Sequence, residues 1–360
     1  MQSPVCQRYA ASGRPSEPSR RGFLRVGAAA GAALALSSSG DRAASAGPYP
    51  TAEDTFGLLK AGRKIPVIFD TDIGSDIDDT WALCMVLRCP ELDVRLVVSD
   101  KDNSTYRARI LAKMLDVFER TDIPVGVGLQ KGDEPGRQSA WTGDYDLARY
   151  PGTVHEDGVG AIIQTIKDSP EPMSLVCTGP VPNIAAALER EPGIVEGARF
   201  VGMHGSVRRG YRNNPKISAE ANVRNDPGAL QKVFAAPWDV TITPLDTCGI
   251  IRLTGEKFAK VHQCEHPAIR ALMENYRVWL ARRGRPAPDP LTASSTLFDT
   301  VAVYLAFTEE LLEMENIGLR VTDDGYTVIE EKARAVRCAM KWRNLGAFED
   351  LLVGRLVGEG

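Results

Sequence analysis

Five aspartates fall within ten residues, Asp70-Thr71-Asp72-Ile73-Gly74-Ser75-Asp76-Ile77-Asp78-Asp79, directly behind the apolar run Ile65-Pro66-Val67-Ile68-Phe69. Two carboxylates about 4 Å apart repel by roughly 1 kcal/mol in water and roughly 4 kcal/mol at an effective dielectric of 20, so several at one strand end require a counter-charge. Oxygen-only ligands point to a hard cation, calcium or magnesium, rather than zinc or copper. A helix N-terminus would welcome Asp78 and Asp79, but a cap accounts for one or two aspartates and not five.

Three later segments carry residues of related chemistry. Cys177-Thr178-Gly179-Pro180-Val181-Pro182-Asn183-Ile184-Ala185 reads as a strand end turning into a helix, with Gly and Pro setting the turn. Ser218-Ala219-Glu220-Ala221-Asn222-Val223, followed by Asn225-Asp226-Pro227, reads as an extended segment that presents Glu220 and Asn222 on one side. Leu297-Phe298-Asp299-Thr300-Val301-Ala302 places a lone aspartate in an expected apolar helix.

The elements that must position these residues alternate in type. Strand-like runs are expected at 67–70, 94–98, 125–127, 174–177, 200–203 and 240–243. Helical stretches are expected at 80–87, 105–118, 159–166, 181–188, 227–234, 268–281 and 295–307, and the runs 326–330 and 336–340 suggest a late hairpin. Such alternation is the mark of an α/β fold, an open and mostly parallel sheet with helices on both faces. Ligands in such sheets bind beyond the carboxyl ends of the strands, where Asp70, Thr178 and Met203 all fall.

Residues 1–46 are set apart as an export signal. Ser19-Arg20-Arg21-Gly22-Phe23-Leu24-Arg25 precedes the small apolar run 26–36 and the cleavage-like Ala44-Ser45-Ala46, and this resembles a twin-arginine signal. The resemblance implies the twin-arginine translocation machinery as a partner, folding before export, a periplasmic or extracellular destination and no stable membrane anchor after cleavage. One α/β domain is expected over residues 47–360, with no linker inside it. The signal takes six Lys/Arg and two Asp/Glu from totals of 43 and 47, leaving 37 against 45 and a net charge of about −8. No basic patch advertises nucleic acid, and an acidic surface disfavours anionic lipid. The six cysteines beyond the signal, at 84, 89, 177, 248, 264 and 338, form no CxxC pair, which leaves zinc and thioredoxin chemistry unsupported.

The acidic strand end, the Thr-Gly-Pro turn with Asn183, the Glu220-Ala221-Asn222 segment and the late Asp299 together resemble the calcium-dependent nucleoside hydrolase family, in order and approximate spacing. The resemblance implies Ca2+ as cofactor, held by the Asp72, Asp79 and Asp299 carboxylates and the Thr178 carbonyl. It implies Asp78 on a ribose hydroxyl, Glu220 and Asn222 on the sugar, and Asn103 and Asn214 as further sugar contacts. Asp72 would also be the base that takes a proton from the attacking water, giving direct hydrolysis of a nucleoside N-glycosidic bond with inversion. A homodimer or homotetramer is the assembly implied.

Two departures from the family pattern bear on chemistry. Two extra residues precede Asp78-Asp79, which leaves Asp76 as a rival to Asp78 for the sugar-binding role. Phe298 stands where many members carry a histidine that protonates the leaving base, a contribution typically worth about 10²–10⁴-fold. Stacking of the base on Trp141, Tyr211 or Trp279 would offset that loss, with Phe298 itself a substrate contact. His155 and His204 are the remaining histidines near family-like segments, either as substrate contacts or as structural residues. Two other functions fit parts of the pattern. A haloacid-dehalogenase-like magnesium phosphatase would use Asp70 as nucleophile, with Thr178 and the pair Asp323-Asp324 as further motifs, but leaves Glu220, Asn222 and Asp299 idle. A non-catalytic calcium-dependent sugar-binding or nucleoside-binding protein is supported by Phe298 and opposed by Asp72.

Overall fold

The apolar run behind the aspartates is a strand buried along its whole length, β1 (Ile65–Thr71). A strand buried on both faces belongs at the centre of a sheet covered from two sides. Val67 and Phe69 point into one hydrophobic core and Ile68 into the other, so the alternation of side chains along β1 feeds both layers. The structure, a computed structural model, describes residues 49–282 and 291–359. The export signal read over residues 1–46, with its cleavage site, lies outside the described residues.

Chain order gives β2 (Leu92–Ser99), β3 (Val125–Gly126), β4 (Val154–His155), β5 (Met173–Cys177), β6 (Ala198–Met203), β7 (Val240–Thr243), β8 (Leu312–Val321), β9 (Thr327–Ile329) and β10 (Ala335–Trp342). The spatial order is β4-β3-β2-β1-β5-β6-β7-β10-β8-β9. From β4 to β10 neighbouring strands pair in parallel, and β8 and β9 close one edge antiparallel. This is the open, mostly parallel α/β sheet expected. The register aligns Thr71 with Ser99, Asp70 with Cys177, Cys177 with Gly202 and Met203 with Thr243. The carboxyl ends of β1, β2, β5 and β6 therefore lie side by side, and the segments that follow them share one crevice.

Each of the six expected strands is present, and the helices at Asp78–Arg88, Ser104–Val117, Gly158–Asp168, Pro182–Arg190, Pro227–Ala235 and Pro267–Arg282 overlap their expected ranges. Three expectations need correction. The late hairpin does not form: β9 pairs with β8, and β10 pairs with β8 and β7, so the two expected arms flank a strand that was not foreseen. That strand, Leu-Glu-Met-Glu-Asn-Ile-Gly-Leu-Arg-Val, has exposed charges that mask its apolar alternation. The helix expected at 295–307 is confined to Thr300–Leu305, because the preceding chain is held extended by Leu297 N–H on the Ile251 carbonyl and Ser294 N–H on the Leu253 carbonyl. Asp299 is consequently the residue in front of the helix rather than a residue inside it. Glu220 and Asn222 likewise do not lie on an extended segment, since Glu220 caps the short helix Ala221–Asn225 with bonds from the Asn222 and Val223 N–H groups.

Candidate active site

The site begins where β1 ends. Gly74 turns the chain with φ 101°, a conformation closed to most side chains, and a Cβ there would stand 2.7 Å from the Tyr106 ring. Helix Asp78–Arg88 then starts with two carboxylates in its first turn, where unpaired N–H groups favour negative charge. From β5 comes Thr178-Gly179-Pro180. A Cβ on Gly179 would meet the Asp72 backbone nitrogen at 3.0 Å, so only glycine lets this turn lie against the acidic segment. Asn183 ties the arrangement together: its Nδ2 donates to Asp70 Oδ2 at 2.8 Å and to the Ser99 carbonyl at 2.9 Å, and its Oδ1 accepts from the Leu129 N–H at 2.9 Å.

A cavity of about 360 Å³ opens above these strand ends, bordered by Asp72, Asp76, Asp78, Asp79, Thr178, Glu220, Asn222, Phe298 and Asp299. Carboxylate oxygens of Asp78, Asp79 and Asp299 all lie within 4.8 Å of one another, and all three residues are buried. Burial raises each of their pKa values well above the ordinary carboxylate range, and negative neighbours add to it: Asp76 and Asp79 for Asp78, Asp72 for Asp79, and Asp78, Asp79 and Asp72 for Asp299. The Thr71 and Thr178 hydroxyls donate to Asp79 Oδ1, which opposes the shift without cancelling it. An all-oxygen donor set whose charges repel in this way suits a hard metal cation, which would relieve the repulsion and hold the carboxylates ionised. Asp72 is not one of the three; its Oδ2 lies 3.3 Å from the Lys101 ammonium.

Asp76 is only partly buried and binds the Ile77 N–H, whereas Asp78 is buried inside the cluster, which separates the two rivals by position. Asn222 Nδ2 donates to the Thr178 carbonyl at 2.9 Å and to the Met203 carbonyl at 3.1 Å, joining the ends of β5 and β6. Glu220 accepts three backbone N–H bonds, from Asn222, Gly205 and Val223. Burial still pushes its carboxyl up to about 7. Phe298 meets Tyr211 edge-on, with ring centroids 6.0 Å apart, and both border the cavity. The Tyr211 hydroxyl accepts from the Ala221 N–H at 2.8 Å, which fixes that ring beside Glu220.

Several expected contacts lie elsewhere. Asn103 caps helix Ser104–Val117 through the Tyr106 N–H and donates to the Glu134 carbonyl, so its amide serves a helix end and does not border the cavity. Asn214 is exposed and accepts from the Lys216 N–H. Trp141 is buried under the Lys113 ammonium, and Trp279 is buried against Tyr276, leaving Tyr211 as the one base-stacking candidate of the three at the cavity. His155 does not border it, and His204 is structural: its Nε2–H donates to the Gly179 carbonyl at 2.9 Å, and burial lowers its pKa to about 4. The phosphatase motifs fail on geometry, because Asp70 is sealed behind the cavity on Asn183 and Asp323 lies in the β8–β9 turn bonded to Gln231.

Lys101, Arg107, Arg137 and Asn225 also border the cavity and were not foreseen. Arg107 is buried, donating Nη1 to the Asp72 carbonyl, to the Ile73 carbonyl at 2.9 Å and to Ser75 Oγ at 2.9 Å, and Nε to the Lys101 carbonyl at 2.9 Å. Arg107 is one of two arginines in helix Ser104–Val117, with Arg109, and nothing in the local pattern marks it as the buried one.

A sequence model of the inosine-uridine preferring nucleoside hydrolase family matches residues 67–349, spanning the acidic strand end, the Thr-Gly-Pro turn, Glu220 and Asp299. The chain belongs to that family. Nucleoside hydrolases cleave N-glycosidic bonds, and this is the reaction class of the chain. The pyrimidine-specific ribonucleoside hydrolase RihA of Citrobacter koseri is 30% identical over 318 residues, covering 81% of this chain and 98% of the relative. Its Shigella boydii counterpart is 28% identical over 315 residues, with 81% and 98% covered. The fold is shared with the inosine-uridine preferring nucleoside hydrolase of Bacillus anthracis, with TM-score 0.67, 20% identity and coverage of 81% and 99%. A purine-preferring ribonucleoside hydrolase of Gardnerella vaginalis also matches, with TM-score 0.67, 23% identity and coverage of 81% and 98%. A twin-arginine signal sequence matches residues 17–37, so this nucleoside hydrolase is exported by that route to the periplasm or beyond. No described helix is long and apolar enough to cross a membrane. All six described cysteines are free thiols, five of them buried.

Proposed function

We propose that the chain is a calcium-dependent N-ribohydrolase that releases ribose and free base from nucleosides outside the cytoplasm. The observation that carries this is the cluster of buried Asp78, Asp79 and Asp299 carboxylates within 4.8 Å at the floor of a cavity whose wall includes Asp72. Asp72, Asp79, Asp299 and the Thr178 carbonyl would hold the ion; that carbonyl has a second lone pair beyond the one taken by Asn222. Calcium, when bound, supplies a Lewis acid that makes a water easier to deprotonate.

The chain's own residues do the rest. Asp72 takes a proton from the attacking water as the water oxygen bonds to the anomeric carbon and the carbon–nitrogen bond breaks toward the base. Positive charge spreads over the ribose ring in that transition state, so surrounding carboxylates stabilise it more than they stabilise the substrate. Asp78, Glu220 and Asn222 hold sugar hydroxyls. The Glu220 carboxylate, fixed by three N–H groups, needs little reordering to do so. Tyr211 and Phe298 form an aromatic wall against which the base packs, and the departing base takes its proton from solvent. The catalytic domain would comprise residues 47–360 after signal removal, assembled as a homodimer or homotetramer.

Proton NMR of uridine and inosine hydrolysis by the mature chain tests this mechanism. Direct water attack gives the inverted ribose anomer first, with calcium present and not after chelation. The retained anomer appearing first, or equal rates after chelation, would refute it.

A further inference from the structure

Lys101 is out of place by two measures. Its backbone is left-handed at φ 68°, as is that of Asp102 at φ 45°, a region L side chains other than Asn and Asp rarely occupy. Strain of this kind persists only where the surroundings over-determine it, and it concentrates at functional sites. Arg107 Nε holds the Lys101 carbonyl at 2.9 Å, and the Lys131 N–H holds the Asp102 carbonyl at 2.9 Å. The enforced turn sends an ammonium into an acidic cavity, with its Nζ 3.3 Å from Asp72 Oδ2 and the two side chains 20% and 8% exposed. Arg107 also carries charge beside the cluster, but it cannot swing away, because its guanidinium is held by backbone carbonyls of the acidic segment, by Ser75 and by Asp102 3.8 Å from its Nη2.

We propose that Lys101 is the resident counter-cation of the site: its ammonium neutralises Asp72 and holds that carboxylate apart from the Asp78–Asp79–Asp299 cluster, and a divalent cation must displace it to load. The inference rests on the reading of Asp72 as a metal ligand. A lysine suits the role better than an arginine, being a compact, well-hydrated charge on a flexible stem that can swing away. The export route gives the device a purpose. A chain that folds before translocation must assemble its carboxylates where free calcium is scarce, and extracellular calcium modules bind at only about 10⁻⁴–10⁻³ M. An internal cation lets the site form early, at the cost of a weaker affinity that matters little after export.

Mature metal-free wild type, K101M and K101R tested by calcium titration calorimetry and by thermal melts with and without calcium decide the matter. K101M should bind calcium at least about tenfold more tightly, the direction expected when a competing charge is removed. It should also melt lower than wild type without metal and gain more from calcium, and K101R, which keeps the charge, should bind calcium no more tightly than wild type. A K101M chain that folds only with calcium supports the same conclusion. Equal or weaker calcium binding by K101M, with wild type binding calcium and hydrolysing nucleosides, overturns the role of Lys101 alone. No calcium binding by wild type overturns both this inference and the metal reading beneath it.

Discussion

Asp72 sits between two demands, as proposed base for the attacking water and as partner of Lys101. Asp72→Asn removes the base while keeping the shape, so turnover at saturating calcium should fall by about 10²–10⁴-fold, read as kcat on uridine or inosine. Near-wild-type kcat in that variant would sink the mechanism. Phe298, edge-on to Tyr211, has no proton to give, so its contribution is contact area. Phe298→Ala should raise KM by roughly 2–10-fold with a smaller change in kcat, the range an aromatic contact of about 0.5–1.5 kcal/mol allows. A collapse of kcat at unchanged KM would assign Phe298 to the transition state instead. Asp72, Asp78, Asp79, Thr178, Glu220, Asn222, Phe298 and Asp299 all border the cavity, and they were picked out because their motifs, ambiguous singly, together resemble one family. Asn103 and Asn214 misled because an asparagine in a loop caps and turns as readily as it binds. Lys101 and Arg107 were invisible because a single basic residue carries no pattern.

At the scale of elements, the carboxylates gather because parallel strands end in register, and the same packing strips them of water. Asp70 and Glu220 are both pushed up to about 7 by burial, from ordinary values of 3.8 and 4.5. A raised carboxyl pKa means the folded chain keeps protons that the unfolded chain has released. The stabilisation is fully present below the ordinary values and is lost as pH rises through about 7. Metal-free protein should therefore melt a few degrees lower at pH 7.5 than at pH 5, with roughly 2–4 °C lost per kcal/mol. A Tm that climbs across this window without metal would contradict the burial of these groups. Strand positions were legible wherever an apolar run was continuous, as in β1, β5 and β6. β8 was not, since Glu313, Glu315 and Arg320 interrupt its apolar positions on the exposed face. The helix start at Thr300 depended on backbone bonds to residues 251 and 253, which no local pattern reveals.

At the scale of the whole molecule, an export signal is joined to a domain whose acidic site gains from a cation. The paired arginines are the recognised feature of that signal, so Arg20→Lys with Arg21→Lys should leave most of the chain inside the cytoplasm, uncleaved, by fractionation and immunoblot. Unchanged export would mean that another route carries it. Fold class and reaction class were legible because the motifs are spread over the whole domain in a fixed order, whereas the parallel pairing of β10 with β7, Arg337 beside Thr241, is a long-range choice that no local pattern reveals. The central claim is that calcium held by buried aspartates drives nucleoside hydrolysis, and ribose release from purine and pyrimidine nucleosides tests it most directly. Mature wild type and Asp79→Asn would be compared with calcium and after chelation. The account predicts release by wild type with calcium, and little by wild type after chelation or by Asp79→Asn in either condition. Equal release in all four would contradict it.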